Sequence, residues 1–490
     1  MNTLWIKRIA ALVGFCCIAG TMLWYADAVL TEKNSTVWGI YEEPKDSLDV
    51  IFVGGSHSNA ALSPLQMYTE QGFTSFVMYS WSQPIWTSYH YLLETLKTQS
   101  PKVVVLDSFG LVYGNTYISD TDINNVSNQF SLKIAPSWNR LQLMLAMSRC
   151  QTDHRAFYRY SSLLMYHGRW KNLTAEDFVW PFVSHESLNK GFGPIYTTEP
   201  FEQQLPPENI VEQQGYQPAE EYLYRFIELS KQEGFSLVLM NIPYIMNETE
   251  YAIYARAARI CRENGVAVVD YTDPALAAEI GFDYSTDMAE HAHVNYRGAK
   301  KITSHMGSYL KENYSLPDQR QQPEFARWQQ LAEIEQRDMQ DGALKMEADL
   351  SILLEMAKQP EYLFVLQTQG DLTAADSTEM QQAFAAHGLP QEIFADATAN
   401  ALYVYDGGEL IFNELSNGSE LSFSLDGFGE NGQNSLQATS SGQKAECWLN
   451  GEQISRDRPG LNLVILDRKS GELVLSVSFS TLHNYTRYTA

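Results

Sequence analysis

Basic residues are scarce in this chain: 34 Lys and Arg stand against 59 Asp and Glu in 490 residues, a formal charge of −25. No basic run occurs anywhere along it. Binding a phosphate backbone needs clustered Lys and Arg to release counterions, so a broad nucleic-acid surface is excluded. Cysteine is scarce too. Of the five, Cys16 and Cys17 sit in an N-terminal apolar run, and Cys150, Cys261 and Cys447 are widely separated, with no CxxC or His-Cys spacing. That excludes both a disulfide framework and a zinc site of ordinary spacing. No repeat of fixed period is present.

What is abundant is apolar and aromatic residues. A hydrophobic content of 44% belongs to a folded chain, and 490 residues make two or three units, each able to bury a core. Aromatics reach 12%, with 28 Tyr and 10 Trp. Ring faces pack against sugars, although core packing accounts for most of them. After Lys7 and Arg8, "IAALVGFCCIAGTMLWYA" runs 18 residues without a charge and closes on Trp24 and Tyr25 like an interfacial belt. Two readings stand. One is an uncleaved single-pass anchor with the N-terminus inside and the rest of the chain on the extracytoplasmic side. The other is a signal peptide cut near Ala28, at the small-x-small "ADA", with secretion of the remainder. Both export the main body.

Between residues 45 and 315, short β-branched runs alternate with amphipathic stretches, which predicts an α/β fold: a parallel sheet flanked by helices. "DVIFV", "TSFVMYS", "KVVVLDS", "FSLVLM" and "VAVVDY" are continuous in apolar residues, as strands buried on both faces are. Ile85, Trp86, Tyr89, Leu92, Leu93 and Leu96 repeat at helical spacing, with Pro84 in the first turn. Asn247 and Glu250 form a capping-box pattern before a helix that stops at Gly265. The stretch from about 111 to 234 has no clear strand and is too long for a plain crossover. It reads as a mainly helical insertion over the carboxyl end of the sheet, including "NRLQLMLAMS" and "RAFYRYSSLLMYHGRW", or as a segment packed on the membrane or the C-terminal domain. Residues 316–359, rich in Gln, Glu and Arg, read as a helical connector. Residues 360–490 start again with a strand, a helix and short strands separated by "DGG", "NGS" and "NGEQ", a smaller α+β domain.

The chemistry concentrates at the ends of the α/β region. In "DVIFVGGSHSNA" a strand ends in Gly54-Gly55-Ser56 and feeds a helix, which places Ser56 at the carboxyl edge of the sheet. Such a turn is compatible with plain structure. A serine hydroxyl becomes a nucleophile only when a base takes its proton, and the adjacent His57 is badly placed because sequence neighbours point apart. A better base lies in "DYSTDMAEHAHVNYRGAKK", which carries Asp287, Glu290, His291 and His293 and leads into a helix with Ile302, Met306, Tyr309 and Leu310 on one face. The same acidic and imidazole groups also suit a divalent metal. His57, His90 and His305 read as surface or packing residues, and "MNIPY" (240–244) as a strand-ending turn or a pocket wall.

"GGSHS" after the first strand, together with "ExxHVNxxGA" (Glu290, His293, Asn295, Gly298, Ala299) before the last helix, resembles the SGNH/GDSL hydrolase superfamily, closest to its membrane-anchored DltD-like, exopolysaccharide-acetylation branch. "SQPIWTSYHYL" and "PKVVVLD" resemble that branch as well. The resemblance covers about residues 45–315 and implies a flavodoxin-like, SGNH-type sheet behind an N-terminal transmembrane helix. It makes Ser56 the nucleophile, His293 the general base, and Glu290 or Asp287 the acidic orienter. Gly55, Asp107 and Asn295 are expected in the oxyanion or substrate-binding region. Where the family has a glycine N–H, this chain has Tyr79-Ser80-Trp81-Ser82; where it has Gly-x-Asn-Asp, this chain has Asp107-Ser108-Phe109-Gly110. Ser82 N–H and the Gln83 amide are the expected substitutes; one missing donor costs about 2.7–4 kcal/mol of transition-state stabilisation.

"YLFVLQTQGDLTAADSTEMQQAFAAHGL" and "GLNLVILDRKSGELVLSVSF" resemble the interleukin-like EMT inducer (ILEI) domain over about 361–480, with its two halves in swapped order. That family includes glycan-binding stems. Together the resemblances imply an O-acetyl esterase or O-acetyltransferase acting on a cell-surface glycan, without cofactor or metal and with a membrane-bound acyltransferase as partner. The alternative is an inactive scaffold that binds glycan or assists envelope assembly.

Overall fold

The structure is a computed structural model, and it describes residues 3–30, 36–112, 134–135, 137–150, 163, 166–203, 205–373, 378–480 and 486–489. Most of the sequence "RAFYRYSSLLMYHGRW" and the stretch 113–133 lie outside the described residues. The chain forms two compact units, Met1–Gln336 and Arg337–Ala490. The division falls within the 316–359 stretch, whose first part belongs to one unit and its second to the other.

The first unit opens with helix α1, Thr3–Leu30, whose Trp5–Leu30 stretch is long and apolar enough to cross a membrane. At 1.5 Å per residue it is about 42 Å long. Then come β1 (Val50–Gly54), α2 (Ser56–Ala61), α3 (Pro64–Gln71), β2 (Ser75–Tyr79), α4 (Ile85–Thr95) and β3 (Val103–Asp107). The long connection after β3 carries α5 (Trp138–Cys150) and the short α6 (Ala175–Val179) before α7 (Gln217–Glu233). The unit continues with β4 (Ser236–Asn241), α8 (Glu248–Glu263), β5 (Ala267–Asp270), the short pair β6 (Met288–Glu290) and β7 (His293–Val294), and a helix at Tyr296–Asn313.

Strands β1 to β5 form one parallel sheet in the order β2-β1-β3-β4-β5, the flavodoxin-type doubly wound order. Every residue of β1, β2 and β3 is buried, as their continuous apolar sequences require. Ile51 lies beside Phe76 on one side and Val104 on the other. The order also fixes the helix layers. Right-handed crossovers send the step from β1 to β2 and the step from β2 to β3 over opposite faces. Accordingly α3 packs with helix Tyr296–Asn313, while α4 packs with α5 and α7. The helix faces follow the sequence period: Ile302, Met306 and Leu310 are fully buried. The capping box of α8 is closed in both directions, Glu250 N–H to Asn247 at 3.0 Å and Asn247 N–H to Glu250 at 2.9 Å. Pro84 stands just outside α4 as its N-cap rather than in its first turn.

The second unit is an antiparallel-sheet domain. Strands at Tyr362–Gln369, Ala399–Asp406, Glu409–Asn417, Gly460–Asp467, Leu473–Ser480 and Thr486–Thr489 make a six-stranded sheet, and a four-stranded sheet spans Leu421–Gln453. Alternation along the Tyr362–Gln369 strand gives the six-stranded sheet two apolar faces. Phe364 and Leu366 pack under helices Leu350–Ala357 and Thr378–Ala386, and Leu363 and Val365 pack against Leu436, Ala438 and Cys447 of the smaller sheet.

Candidate active site

Strand order places the site. In a doubly wound sheet the crevice opens where neighbouring strands send their connections in opposite directions, here between the carboxyl ends of β1 and β3. Ser56 follows β1 and Asp107 ends β3. Gly54 must be glycine: a Cβ there would stand 2.2 Å from Ser58 Oγ and 2.5 Å from Asp107 Cβ. This close approach lets the chain turn from strand into α2 within a single residue, Gly55, its N-cap. Ser56 is the first residue of that helix.

The candidate base arrives from the other end of the unit. His293 Nε2 is 2.7 Å from Ser56 Oγ, 237 residues away in sequence. Its Nδ1 donates to Glu290. A carboxylate on Nδ1 keeps the proton there, so Nε2 is left as an acceptor for the serine hydroxyl. The other Glu290 oxygen accepts the Ala292 N–H at 2.9 Å, and His291 Nδ1 also lies 2.9 Å from it. Burial pushes the Glu290 carboxyl up, but the Ala292 N–H and the two imidazoles outweigh it, and its pKa ends below the usual value. Glu290 is therefore held in its ionised form.

Asp287, the other candidate orienter, does not reach His293. It is fully buried and accepts from Lys301 Nζ at 2.6 Å and from the Asp283 N–H at 2.8 Å, which closes the loop that carries the histidine. Both ring nitrogens of His293 are engaged, and the described residues contain no group of three His, Cys, Asp or Glu side chains able to hold a metal.

Three further candidate residues have their side chains engaged within the fold. Asn295 is engaged within the protein: its Oδ1 caps helix Tyr296–Asn313 through the Arg297 and Gly298 N–H groups, and its Nδ2 donates to Thr198, Thr286 and Met288. Asp107 is 1% exposed and works underneath the turn. It accepts from Ser58 Oγ at 3.1 Å and from the Phe109 N–H at 3.0 Å, with the Gly55 and Ser58 N–H groups also directed at it. Burial raises its pKa to about 6 against the pull of those donors. The Gln83 carboxamide is fully buried between Ser80 and Ser88, accepting at 2.8 Å and donating at 2.9 Å. What faces the nucleophile turn is the Gln83 backbone nitrogen, 3.6 Å from where a Cβ on Gly55 would stand. Ser82, in the left-handed region at φ 52, bends the chain to bring it there.

His57 is buried, stacked on Phe109 at 3.6 Å and edge-on to His293 at 5.1 Å, and burial holds its pKa well below the usual value. It is a neutral packing residue. His90 and His305 are packing residues too, bonded to Asn139 and Tyr271. Tyr244 of "MNIPY" backs His57 and Phe109 at 5.0 Å each.

Residues not foreseen hold the histidine loop in place. Ile245 N–H donates to the His291 carbonyl, and Tyr296 N–H to Ile195. Glu199 N–H reaches Met288. Asn59, one turn past Ser56, grips the insertion through the Gly191 carbonyl and the Gly193 N–H. The part of the insertion beside the site, residues 192–200, is irregular rather than helical. No periodicity marks such contacts, because each depends on a partner far away in sequence; the helix-capping role of Asn295 was readable from its place before "YRGAKK".

Comparison of the chain with family models gives no match, and comparison with curated proteins gives none either.

Proposed function

We propose that the protein is an exported, membrane-tethered SGNH-type serine acyl-transfer enzyme, an O-acetyl esterase or O-acetyltransferase of a cell-surface glycan. The observation that carries this reading is the continuous chain Ser56–His293–Glu290 at the carboxyl edge of the sheet. Ser56 Oγ attacks the ester carbonyl while His293 Nε2 takes its proton, and Glu290 stabilises the imidazolium. The proton then passes to the departing alcohol, leaving an acyl-serine. Water resolves this intermediate in an esterase and a sugar hydroxyl in a transferase. The backbone N–H groups of Ser56 and Gln83 hold the oxyanion, since none of the side chains at Gln83, Asp107 and Asn295 is free to do so. Lys7 and Arg8 before the apolar run support an inside N-terminus and an extracytoplasmic catalytic unit. The external location and the ILEI-like second unit favour a polymeric substrate, with the acyl group delivered by a membrane-bound partner.

The inward-turned Gln83, Asp107 and Asn295 side chains favour a second reading, a scaffold that binds glycan without turnover. A fluorophosphonate probe separates the two. The enzyme reading expects covalent labelling of the full chain at Ser56, lost in Ser56→Ala, with aryl-acetate hydrolysis lost in parallel. An unlabelled wild type, or labelling that survives Ser56→Ala, overturns it.

A further inference from the structure

The membrane end of α1 is held by the rest of the unit. Residues 5–24 are exposed except at position 19, whereas 25–30 are partly covered and Val29 is buried. The cover comes from the long connection after β3. The Tyr25 hydroxyl donates to the Phe178 carbonyl at 3.0 Å, and its ring lies 5.9 Å from that of Phe182. Arg169 donates to the Leu30 carbonyl at 2.9 Å and pairs with Asp177 at 2.8 Å. Asp177 in turn closes the capping box of α6. These contacts make 167–183 a collar around the point where α1 leaves the apolar run.

The collar turns apolar side chains outward. Trp170 is 65% exposed, Phe178 47%, Val179 52%, Phe182 71% and Val183 48%. Exposed apolar residues scattered singly are normal, but a cluster beside a membrane-length helix is not. Lys171 lies 5.7 Å over the Trp170 ring, so the apolar surface carries a cation at its rim, as interfacial segments do. A chain of charge −25 is not drawn to an anionic surface by its overall field.

We infer that residues 167–183 lie in the headgroup zone of the bilayer that α1 enters, and that this apolar contact sets the orientation of the α/β unit on the membrane. The inference rests on α1 being an uncleaved span. Its occupant is lipid because the patch continues the exposed face of α1 across the Tyr25–Phe182 contact.

Nitroxide labels placed one at a time by Leu12→Cys, Trp170→Cys, Phe182→Cys and Tyr224→Cys test it in the full chain carrying Cys16→Ser and Cys17→Ser; the other three cysteines are buried. The protein is reconstituted in phosphatidylcholine–phosphatidylglycerol vesicles, and collision with oxygen is compared with collision with a water-soluble nickel chelate. The labels at 170 and 182 should report a depth of roughly 5–10 Å, unchanged by raised salt, with 12 near mid-bilayer and 224 in water. If 170 and 182 behave like 224 while 12 is deep, the collar inference fails and the span stands. A shallow label at 12 removes the span and the inference with it. Shielding of 170 and 182 from both reagents means a protein partner and overturns the lipid assignment, as does withdrawal by salt.

Discussion

Replacing Glu290 by Gln tests the proton chain at its most revealing point. The Ala292 N–H needs an acceptor and already has one in Glu290 Oε2 at 2.9 Å, so the Gln carbonyl oxygen takes that position and its NH2 turns toward His293 Nδ1. That nitrogen must then accept, the ring proton moves to Nε2, and the group facing Ser56 becomes a donor. Two losses combine. A charge pair at about 4 Å and an effective dielectric of 20 is worth about 4 kcal/mol. The Glu290 side chain is 35% exposed, and solvent reduces this to about 2 kcal/mol, or roughly 30-fold in rate. The wrong tautomer adds more, up to the ~10⁴-fold total known for a buried orienting Asp changed to Asn. Fluorophosphonate labelling of Glu290→Gln should therefore be slower by about 10²- to 10⁴-fold. Glu290→Ala, which admits water to Nδ1 and imposes no tautomer, should label about tenfold faster than Glu290→Gln. Labelling of Glu290→Gln within about threefold of wild type, in a protein whose Ser56→Ala form is inert, refutes the orienter role.

Asp107→Asn probes the turn beneath the nucleophile. Because burial raises the folded-state pKa of Asp107 from 3.8 to about 6, its contribution to stability is full below pH 4 and is lost as pH rises through 6. The loss is about 3 kcal/mol. Denaturation of wild type and variant at pH 4 and pH 7.5 should therefore show the variant gaining on wild type by about that amount at the higher pH; parallel curves refute it. Gly54→Ala and Gly55→Ala should separate folding from chemistry. The first forces a Cβ to 2.2 Å from Ser58 Oγ and should cost about 1–3 kcal/mol of stability together with probe labelling. The second makes only ordinary contacts, 3.6 Å to the Gln83 nitrogen and 3.9 Å to the Ser80 carbonyl, and should lose labelling with the melting temperature unchanged; full labelling of Gly55→Ala removes the Gln83 N–H from the oxyanion site.

The strands were legible because a strand buried on both faces carries an unbroken apolar run, and Val50–Gly54 and Val103–Asp107 fall within a residue of where those runs lie. Ser56 was legible as a candidate because it follows a strand that ends in two glycines, and the loop with His291 and His293 because it leads into an amphipathic helix; the choice of His293 is what the SGNH/GDSL resemblance implies. The choice between Glu290 and Asp287 was not legible. They stand three residues apart, and what separates them is Lys301, in the second turn of the helix that follows, which claims the Asp287 carboxylate. The Gln83 carboxamide, too, was engaged by Ser80 and Ser88, short-range partners that no hydropathy pattern distinguishes from a free amide. The 316–359 change of composition reads as a helical connector; the division between the two units falls inside one of its helices, Ala326–Met346.

The loop that carries His293 is tied to Ile195 and Glu199 of the long insertion, and Asn59, one turn beyond the serine, is tied to Gly191 and Gly193 of the same stretch. On the acyl-transfer reading proposed above, the segment beside the site is therefore also the brace of the Ser56–His293 pair. If Ser56 is the nucleophile proposed above, a new specificity could not be grafted by exchanging 187–201 for another sequence while reactivity is kept constant. Selectivity and turnover would have to diverge together, by small steps that preserve the brace at every stage.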